Sequence, residues 1–296
     1  MKDILITGGT GTLGTALVEK LYDSGHKLHV FSRDENKQKA LLSKFPDIKC
    51  HIGDICNDND LARLSKYHKF DEIYHCAASK HIELCEENVH KCIETNYVGA
   101  KKVYDCLGFN KSCKFIFFTT DKAVAPINAY GYSKAIAEKY FEEMNILKKN
   151  IWMFRWGNIL GSNGSVLKIF KDNILAGKPL NITNVNMTRF WITIESAVSF
   201  VMDTMSHASN NPPQLYFPPF IRSASVVQLA SSVARCVTRD PLFDLKFNLV
   251  GCRPGEKIHE AMVADSEGVK LSSINCGIFT DSELDALVHP IVRSLK

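Results

Sequence analysis

The chain lacks any apolar run of the length that a membrane span requires, and it also lacks a C-x-x-C pair and internal repeats. A spanning helix needs about 20 consecutive apolar residues, so we predict no transmembrane segment and no membrane partner. No apolar secretory leader precedes the first strand pattern at Lys2–Thr7. The 10 cysteines are scattered along the chain, as is typical of reduced thiols. Together these absences predict a cytoplasmic protein.

A strong excess of one charge is absent as well. Lys and Arg number 36 against 32 Asp and Glu, which gives a net charge of +4. Because the two signs are interspersed, this mild excess does not indicate a nucleic-acid partner. It would suit an anionic small substrate.

Clusters of metal-ligating residue types are also sparse. His81 with Cys85 and His90 with Cys92 are the two local groupings, and each supplies only two potential ligands. A structural zinc site usually needs four, so we interpret both pairs as ordinary helix residues and expect no metal.

Apolar strand patterns alternate with helical spacing through the first half of the chain. Six strands are predicted, at Lys2–Thr7, Lys27–Ser32, Asp47–Ile52, Asp71–Cys76, Lys114–Thr119 and Ile151–Trp156. Apolar strands that alternate with helices indicate an α/β fold with a doubly wound parallel sheet.

The composition changes after Asn158, where Gly, Ser, Asn and Pro become frequent and strand patterns become shorter. We therefore predict a main domain over residues 1–157 and a smaller C-terminal substrate-binding region over residues 158–296. Gln214–Phe217 is a candidate for one more strand of the large sheet, which would partly interleave the two regions. The C-terminal tail shows no readable pattern.

A glycine-rich turn joins the first strand to the first helix with the spacing T-G-x-x-G-x-x-G. Glycines let this turn approach a pyrophosphate, and the following helix presents N–H groups and its positive dipole end. Between a strand and a helix, the pattern predicts an NAD(P)-binding Rossmann fold. The predicted cofactor contacts are Gly8, Thr10, Gly11, Thr12, Leu13 and Gly14.

The end of the second strand indicates which dinucleotide is bound. An NAD enzyme usually places an acidic residue there, whereas this chain has Ser32 and Arg33, with Lys37 one turn later. These residues suit a 2′-phosphate, so we predict NADP, although a solvated helix start explains Lys37 nearly as well. Asp54, with Ile55, is a predicted adenine contact, and an N-cap role for Asp54 competes with it.

The fifth strand runs into Thr120-Asp121-Lys122, and Tyr130 with Lys134 forms a Y-x-x-x-K pair shortly afterwards. Spacing of four places both side chains on one helix face. A nearby ammonium and a nicotinamide cation stabilise phenolate, so Tyr130 could accept a hydroxyl proton. That is the chemistry of alcohol oxidation by hydride transfer.

The glycine turn and the Y-x-x-x-K pair together resemble the extended short-chain dehydrogenase/reductase superfamily. Further segments are similar to its polysaccharide-biosynthesis, CapD-like branch, and in particular to C5-inverting UDP-N-acetylglucosamine 4,6-dehydratases. These segments are Cys76–His81, Thr95–Gly99, Thr120–Tyr130, Arg155–Asn158, Gly161–Ser165, Met187–Thr193 and Arg253–Glu260. One departure is Ser79, where that branch usually has Leu.

The resemblance implies a lyase reaction on a UDP-sugar. Tyr130 would take the C4 hydroxyl proton and Thr120 would hold the C4 oxygen. Lys122 would remove the C5 proton and Asp121 would protonate the leaving C6 hydroxyl, while Lys134 would bind the nicotinamide ribose.

The other contacts that the resemblance implies fall into two groups. Additional cofactor contacts are Ala77, Ala78, Lys80 and Asn96, the last with helix packing as an equal alternative. Substrate contacts are Lys80, Asn158, Arg189, Arg253, Glu256 and Glu260. We expect Glu260 to lie on a helix after Arg253 and either to bind ribose hydroxyls or to join an ion pair.

Two other functions fit parts of this pattern. A UDP-N-acetylhexosamine 4-epimerase would need Tyr130 but not the Asp121–Lys122 pair. A non-catalytic NADP-binding regulator would need neither. Members of the superfamily commonly pair through two helices, so we also expect a homo-oligomer.

Overall fold

A sheet of six parallel strands forms the centre of the fold. The structure, a computed structural model, describes residues 1–109, 112–207 and 215–295. The strands are β1 (Asp3–Thr7), β2 (Lys27–Ser32), β3 (Lys49–Ile52), β4 (Glu72–His75), β5 (Lys114–Thr120) and β6 (Ile151–Trp156). Their order is β3-β2-β1-β4-β5-β6, so the direction of winding reverses between β1 and β4. This order confirms the predicted doubly wound fold.

Helices connect these strands, as the alternating pattern predicts. They are α1 (Thr12–Tyr22), α2 (Glu35–Lys44), α3 (Asp58–Tyr67), α4 (Ile82–Glu87), α5 (Val89–Ile93), α6 (Ala100–Val103) and α7 (Ala129–Lys148). Turns of π-helix follow α5 at Glu94–Gly99 and α6 at Tyr104–Gly108, and a 3-10 turn at Asp121–Ala123 follows β5. Among the described residues, no helix is both long and apolar enough to cross a membrane.

The core of the sheet explains the apolar strand patterns. Strands of a parallel sheet are covered on both faces and therefore read as nearly continuous hydrophobic runs. Phe115 and Phe117 of β5 are fully buried against Tyr104 and Phe141, with the Phe117 and Phe141 ring centroids 4.5 Å apart.

The chain divides into two compact units, and the first is discontinuous in sequence. It comprises Met1–Arg155 and Val198–Phe217. Gln214, the first residue of the predicted return strand Gln214–Phe217, lies outside the described ranges. The described part forms one parallel bridge, in which the Tyr216 carbonyl accepts from the Arg155 N–H at 2.8 Å.

The second unit comprises Trp156–Ala197 and Pro218–Lys296. Its strands, in chain order, are β7 (Asn158–Ile159), β8 (Leu180–Ile182), β9 (Thr188–Ile192), β10 (Arg222–Ser225), β11 (Phe247–Leu249), β12 (Ala261–Asp265), β13 (Gly268–Ser272) and β14 (Gly277–Ile278). They form a sheet of order β14-β10-β9-β7 and the pairs β8–β11 and β12–β13. The remaining helices are α8 (Val166–Leu175), α9 (Ile194–Ser206), α10 (Val226–Thr238) and α11 (Asp281–Ser294), of which α9 contains the boundary between the units.

The segment after Arg253 differs from the prediction, because it forms no helix. Residues 254–255 form a turn with Gly255 at a φ of 77°, and the chain then runs extended to Glu260. His259 makes a parallel bridge with Thr188. Pro254-Gly255 favours a turn. The Thr188 N–H donates to the Ile258 carbonyl at 3.0 Å, and the Arg189 guanidinium donates to the Lys257 and Ile258 carbonyls, so these backbone groups are satisfied without a helix.

A buried ion pair connects α7 to the neighbouring strands. Glu138 on α7 accepts bidentate bonds from Arg155 of β6, Nε to Oε1 at 3.1 Å and Nη2 to Oε2 at 2.6 Å. The Thr119 hydroxyl of β5 donates to Oε1 at 2.6 Å. Both charged side chains are buried, so each depends on the other for compensation of its charge.

Replacing Arg155 by Met should lower the free energy of unfolding by about 3–5 kcal/mol, because Glu138 would remain buried without its cation. Urea denaturation measures the loss. Adding Glu138→Gln should recover part of it, since the uncompensated charge is then gone. Lys139→Met is the matched control on the same helix. The ion pair of Lys139 with Glu142 is exposed, so the urea midpoint of Lys139→Met should barely change. An equal loss of stability in Arg155→Met and Lys139→Met would contradict the stabilising role of the Glu138–Arg155 pair.

Candidate active site

The turn after β1 forms a cradle that only glycine can line. Gly8 has a φ of 64°, and a β-carbon there would lie 2.7 Å from the backbone nitrogen of Ala77. At Gly14 a β-carbon would lie 2.5 Å from the Gly8 carbonyl oxygen. The N-cap residue Gly11 offers no capping side chain, and the first turn of α1 contains no acidic residue. The positive end of α1 therefore faces a turn suited to a pyrophosphate.

The residues predicted to select the cofactor follow β2 and β3. Arg33 is exposed, and its Nη1 lies 3.7 Å from Oδ2 of Asp54. Ser32 is buried and its hydroxyl accepts from Gln38 at 2.9 Å, whereas Lys37 is exposed beside the N-cap Asp34. Of these side chains, Arg33 is therefore the best placed for a 2′-phosphate.

Asp54 is not the N-cap of α3, which is Asn57. Its carboxylate instead accepts from the backbone N–H of Cys56 at 2.9 Å. Partial burial alone would raise the pKa of Asp54, but that N–H and the Arg33 guanidinium outweigh burial and lower it. Ile55 beside it is buried in the core of the first unit.

The loop after β4 carries Ala77, Ala78 and Lys80, and the Asn96 side chain is hydrogen-bonded to the backbone of this loop. The Asn96 side chain accepts from the Ser79 N–H at 2.7 Å and donates to the Ser79 carbonyl at 2.8 Å. It also donates to the Ser133 hydroxyl on α7 at 2.9 Å. These contacts favour a positioning role for Asn96, and direct cofactor contact by these four residues stays a prediction.

The end of β5 brings an acid, a cation and a hydroxyl together. Oδ1 of the fully buried Asp121 accepts from the Thr120 hydroxyl at 2.9 Å and from Nζ of Lys122 at 3.0 Å. A surface ion pair would leave both groups in water, whereas this pair is almost completely buried. The structure therefore places at this strand end two groups that can exchange a proton.

Tyr130 lies in the first turn of α7, close to the same residues. Burial raises the pKa of Tyr130 to about 12, while the Lys122 ammonium and a hydrogen bond with Thr120 act in the opposite direction. Sequence reasoning expected Lys134 to supply the cation that favours phenolate. In the protein alone, Lys122 acts in this way on the pKa of Tyr130.

Lys134, one turn after Tyr130, is buried beneath the sheet end. Its Nζ donates to the Phe118 carbonyl at 2.9 Å and lies 4.6 Å from the centroid of the Phe117 ring. Burial lowers the pKa of Lys134 to about 8, and the Glu138 carboxylate partly opposes this shift. The ion pair of Glu138 therefore also affects the charge on Lys134.

Gly131 is a site residue that motif reasoning missed. A β-carbon at this position would lie 2.4 Å from the carbonyl oxygen of Lys122, so only glycine allows α7 to begin so close to the 3-10 turn. Asn128 caps the helix by accepting from the Gly131 N–H at 2.7 Å. The sequence signal that could have identified Gly131 is its place directly after Tyr130, at the start of a helix. Glycine has a low helix propensity, so a glycine there indicates a special backbone requirement.

Apart from Lys80, the predicted substrate contacts belong to the second unit. Arg189 is buried, and its guanidinium donates to the backbone carbonyls of Thr188, Lys257 and Ile258 at 2.8–3.0 Å. Glu260 is buried with its Oε1 3.9 Å from Nε of Arg189.

The bonds of the Arg189 guanidinium to the Lys257 and Ile258 carbonyls favour a positioning role for Arg189, and its contact with substrate stays a prediction. Arg253 is exposed, and Glu256 accepts from its backbone N–H at 3.2 Å. Asn158 is half-buried in β7 opposite Trp191.

The lowered pKa of Lys134 has a measurable effect on folding. Because the folded-state pKa of about 8 lies below the ordinary 10.5, the native state releases this proton first and stability rises between these pH values. Relative to Lys134→Met, the wild type should gain about 2 kcal/mol between about pH 7 and about pH 9.5. Urea denaturation at both pH values measures the difference. Ile136→Met, an exposed change on the same helix, should show the same pH dependence of stability as the wild type. If the stability difference between the wild type and Lys134→Met did not change with pH, the lowered pKa of Lys134 would be contradicted.

Comparisons with known proteins identify the family of the chain. Residues 4–279 match the model of a family described as polysaccharide biosynthesis protein. The inverting UDP-N-acetylglucosamine 4,6-dehydratase of Campylobacter jejuni is 37% identical over 276 residues, covering 90% of this chain and 78% of that protein. A UDP-glucose 4-epimerase of Rickettsia massiliae is 33% identical over 286 residues, covering 92% of this chain and 81% of that protein.

Among solved structures, Pen from Bacillus thuringiensis superposes with a TM-score of 0.88 at 26% identity, over 100% of this chain and 98% of that chain. The matched family residues include the glycine turn, the acid–cation pair and the Tyr130–Lys134 pair. The chain therefore belongs to the polysaccharide biosynthesis protein family, the CapD-like branch of the extended short-chain dehydrogenases/reductases.

Proposed function

We propose that the chain is an NADP-dependent UDP-N-acetylglucosamine 4,6-dehydratase that inverts C5, a lyase of surface-glycan biosynthesis. Its product would be a UDP-2-acetamido-2,6-dideoxy-4-keto-hexose. The observation that carries the proposal is the buried contact of 3.0 Å between Asp121 and Lys122 at the end of β5, beside Tyr130. The similarity to the Campylobacter jejuni dehydratase supports it.

The residues of the first unit fit a nicotinamide dinucleotide. The turn at Gly8 and Gly14, where a β-carbon would collide with neighbouring backbone, suits the pyrophosphate, and Arg33 suits a 2′-phosphate. Lys134 would bind the nicotinamide ribose. When bound, the cofactor would accept a hydride from C4 of the sugar and later supply one to C6.

Tyr130 performs the first proton transfer in this proposal. Its phenolate accepts the proton of the C4 hydroxyl, and the Thr120 hydroxyl holds the C4 oxygen. Burial alone opposes the phenolate, so the nearby Lys122 ammonium must help to stabilise it. A positively charged nicotinamide would act in the same direction.

Asp121 and Lys122 perform the elimination. A proton moves from Nζ to Oδ1 across their contact, which leaves an amine and a carboxylic acid. The amine of Lys122 then removes the C5 proton, which the C4 ketone has acidified, and Asp121 protonates the C6 hydroxyl, which leaves as water. The ion pair is restored when both transfers are complete, so the elimination itself gains and loses no proton. C5 would then take up a proton from solvent on the opposite face, which inverts its configuration, and Tyr130 would release to solvent the proton taken from the C4 hydroxyl.

A UDP-N-acetylhexosamine 4-epimerase is the second candidate, and the Rickettsia massiliae relative favours it. An epimerase needs Tyr130 and Lys134 but has no step for a buried acid–cation pair. A non-catalytic regulator is less favoured, because it has no use for a buried tyrosine whose phenol is surrounded by Thr120 and Lys122.

The remaining site residues have binding roles in the proposal. The UDP-sugar contacts in the proposal are Lys80, Asn158, Arg189, Arg253, Glu256 and Glu260. Each of the ten cysteines is a free thiol, which supports a reducing compartment such as the cytoplasm. We further propose a homo-oligomer, which size-exclusion chromatography with light scattering tests.

Incubation with UDP-N-acetylglucosamine and NADP⁺ in D₂O should yield a 6-methyl product with deuterium at C5 and the L-arabino configuration. Deuterium is expected because C5 loses its proton to Lys122 and takes up one from solvent on the opposite face, and NMR detects both features. A product with an intact C6 hydroxyl and no deuterium at C5 would instead assign the 4-epimerase.

Variants separate the two half-reactions of this assay. Lys122→Ala should stop elimination while leaving a slower hydride transfer from C4, seen as transient NADPH absorbance, because Tyr130 remains but loses the cation that favours its phenolate. Tyr130→Phe should reduce turnover by more than about a hundredfold, since a general base contributes about that much. Tyr132→Phe is its control, because Tyr132 is exposed on the same helix turn. Turnover of Tyr130→Phe within about tenfold of wild type would remove Tyr130 from the mechanism.

NADP⁺ should bind more tightly than NAD⁺, and Arg33→Ala should reduce the preference by about tenfold or more, because a guanidinium–phosphate contact is charge-assisted. Calorimetric titration of the purified protein with each dinucleotide measures the two affinities and hence the preference. Lys39→Ala, an exposed change on α2, serves as the control. Equal or tighter NAD⁺ binding by the wild type would disprove the cofactor assignment.

A further inference from the structure

Three histidines converge within the first unit. His29 lies in β2, His51 in β3 and His68 directly after α3, and one ring nitrogen of each lies within 4.8 Å of the others. Nδ1 of His29 and Nε2 of His51 are 3.0 Å apart. No short motif links the three, since 22 residues separate the first two, and the metal groupings visible in the sequence lie elsewhere.

We propose that His29, His51 and His68 form a binding site for a divalent transition metal, with zinc as the expected ion. Imidazole nitrogens are preferred zinc ligands, at about 2.0–2.1 Å from the metal, which separates tetrahedral ligand atoms by about 3.3 Å. The closest pair is within a few tenths of an ångström of that value. The farthest nitrogen must approach by about 1.5 Å at most, which half-buried His51 and His68 can accomplish by ring rotation.

Asp3 provides the outer carboxylate that such a site requires. Its Oδ1 lies 3.3 Å from Nε2 of the buried His29, on the side of the ring opposite His51. A carboxylate that accepts from the far nitrogen fixes the tautomer and leaves the near nitrogen with its lone pair. With Nε2 protonated, Nδ1 of His29 is directed at the shared position between the rings.

The protonation state of the rings also suits metal binding. Burial lowers the pKa of His29, and burial together with the neighbouring His29 lowers the pKa of His51 to about 4. Both rings are therefore neutral at pH 7, the form in which imidazole binds metals.

A cavity beside the cluster leaves room for a fourth ligand. It has a volume of about 180 Å³ and is lined by His51 and His68 together with Asp60, Arg63 and Tyr67. A water molecule occupies about 30 Å³ in the liquid, so a metal-bound water or a small anion fits.

The charges around the cluster are nearly balanced. Lys49 and Arg63 face it and would weaken cation binding, but Asp3 and Asp60 oppose them, and Arg63 already pairs with Asp60 at 3.1 Å. A bound metal would join β2, β3 and the end of α3. Arg33 and Asp54 follow those two strands directly, so the metal would stiffen the segments that hold them.

Zinc titration of the EDTA-treated full-length protein, in competition with a chromophoric chelator, tests the proposal. We expect one zinc ion per chain and an X-ray absorption spectrum with nitrogen or oxygen neighbours at about 2.0 Å. A sulfur shell at about 2.3 Å would assign the zinc to cysteines and overturn the proposal. Absence of stoichiometric binding would overturn it too.

Variants give an independent measure. His51→Gln and His68→Gln should each weaken zinc binding by about a hundredfold or more, and Asp3→Asn by about 10- to 100-fold, as for other outer carboxylates. His90→Gln is the matched control, since His90 is exposed and lies outside the cluster. Circular dichroism checks that each variant is folded. Unchanged zinc affinity in folded His51→Gln and His68→Gln would disprove the site.

Discussion

The close approach of the Lys122 carbonyl to Gly131 is the constraint on which the candidate active site depends. Nothing larger than hydrogen fits between them, so the 3-10 turn after β5 and the first turn of α7 are held at one separation. That separation brings the phenol of Tyr130 beside Thr120 and Lys122. The geometry for proton transfer therefore depends on this one packing contact.

The parts of the fold that are local in sequence could be predicted. The six strands, the glycine turn at Gly8 and the Tyr130–Lys134 pair all follow from spacing within a few residues. Buried parallel strands appear as apolar runs, a phosphate-binding turn has glycines at set spacings, and residues four apart lie on one face of a helix. Helix α11 could also have been predicted. Thr280 and Glu283 form a capping box at its start, a signal that the S/T-x-x-E spacing shows directly.

What sequence reasoning missed depends on contacts between distant segments. Arg189 was predicted to contact the substrate, and its guanidinium also donates to backbone carbonyls of a segment nearly seventy residues away, which spacing cannot reveal. The Glu138–Arg155 pair and the three-histidine cluster are hidden for the same reason. The prediction of a helix that carries Glu260 was wrong, because the segment contains a Pro-Gly turn and pairs with Thr188 through a parallel bridge.

The discontinuity of the first unit affects how the protein can be made on the ribosome. Phe154, near the end of β6, packs its ring against Phe200 at 5.6 Å and Tyr216 at 5.2 Å, and both partners belong to the returning segment. A nascent chain that has reached only residue 157 therefore presents the outer face of its last strand, with unpaired backbone groups and an uncovered aromatic ring. The first unit can complete its fold only after Tyr216 has left the exit tunnel, when much of the second unit has already been synthesised. Vectorial synthesis thus makes the two units mature together, although each has its own core.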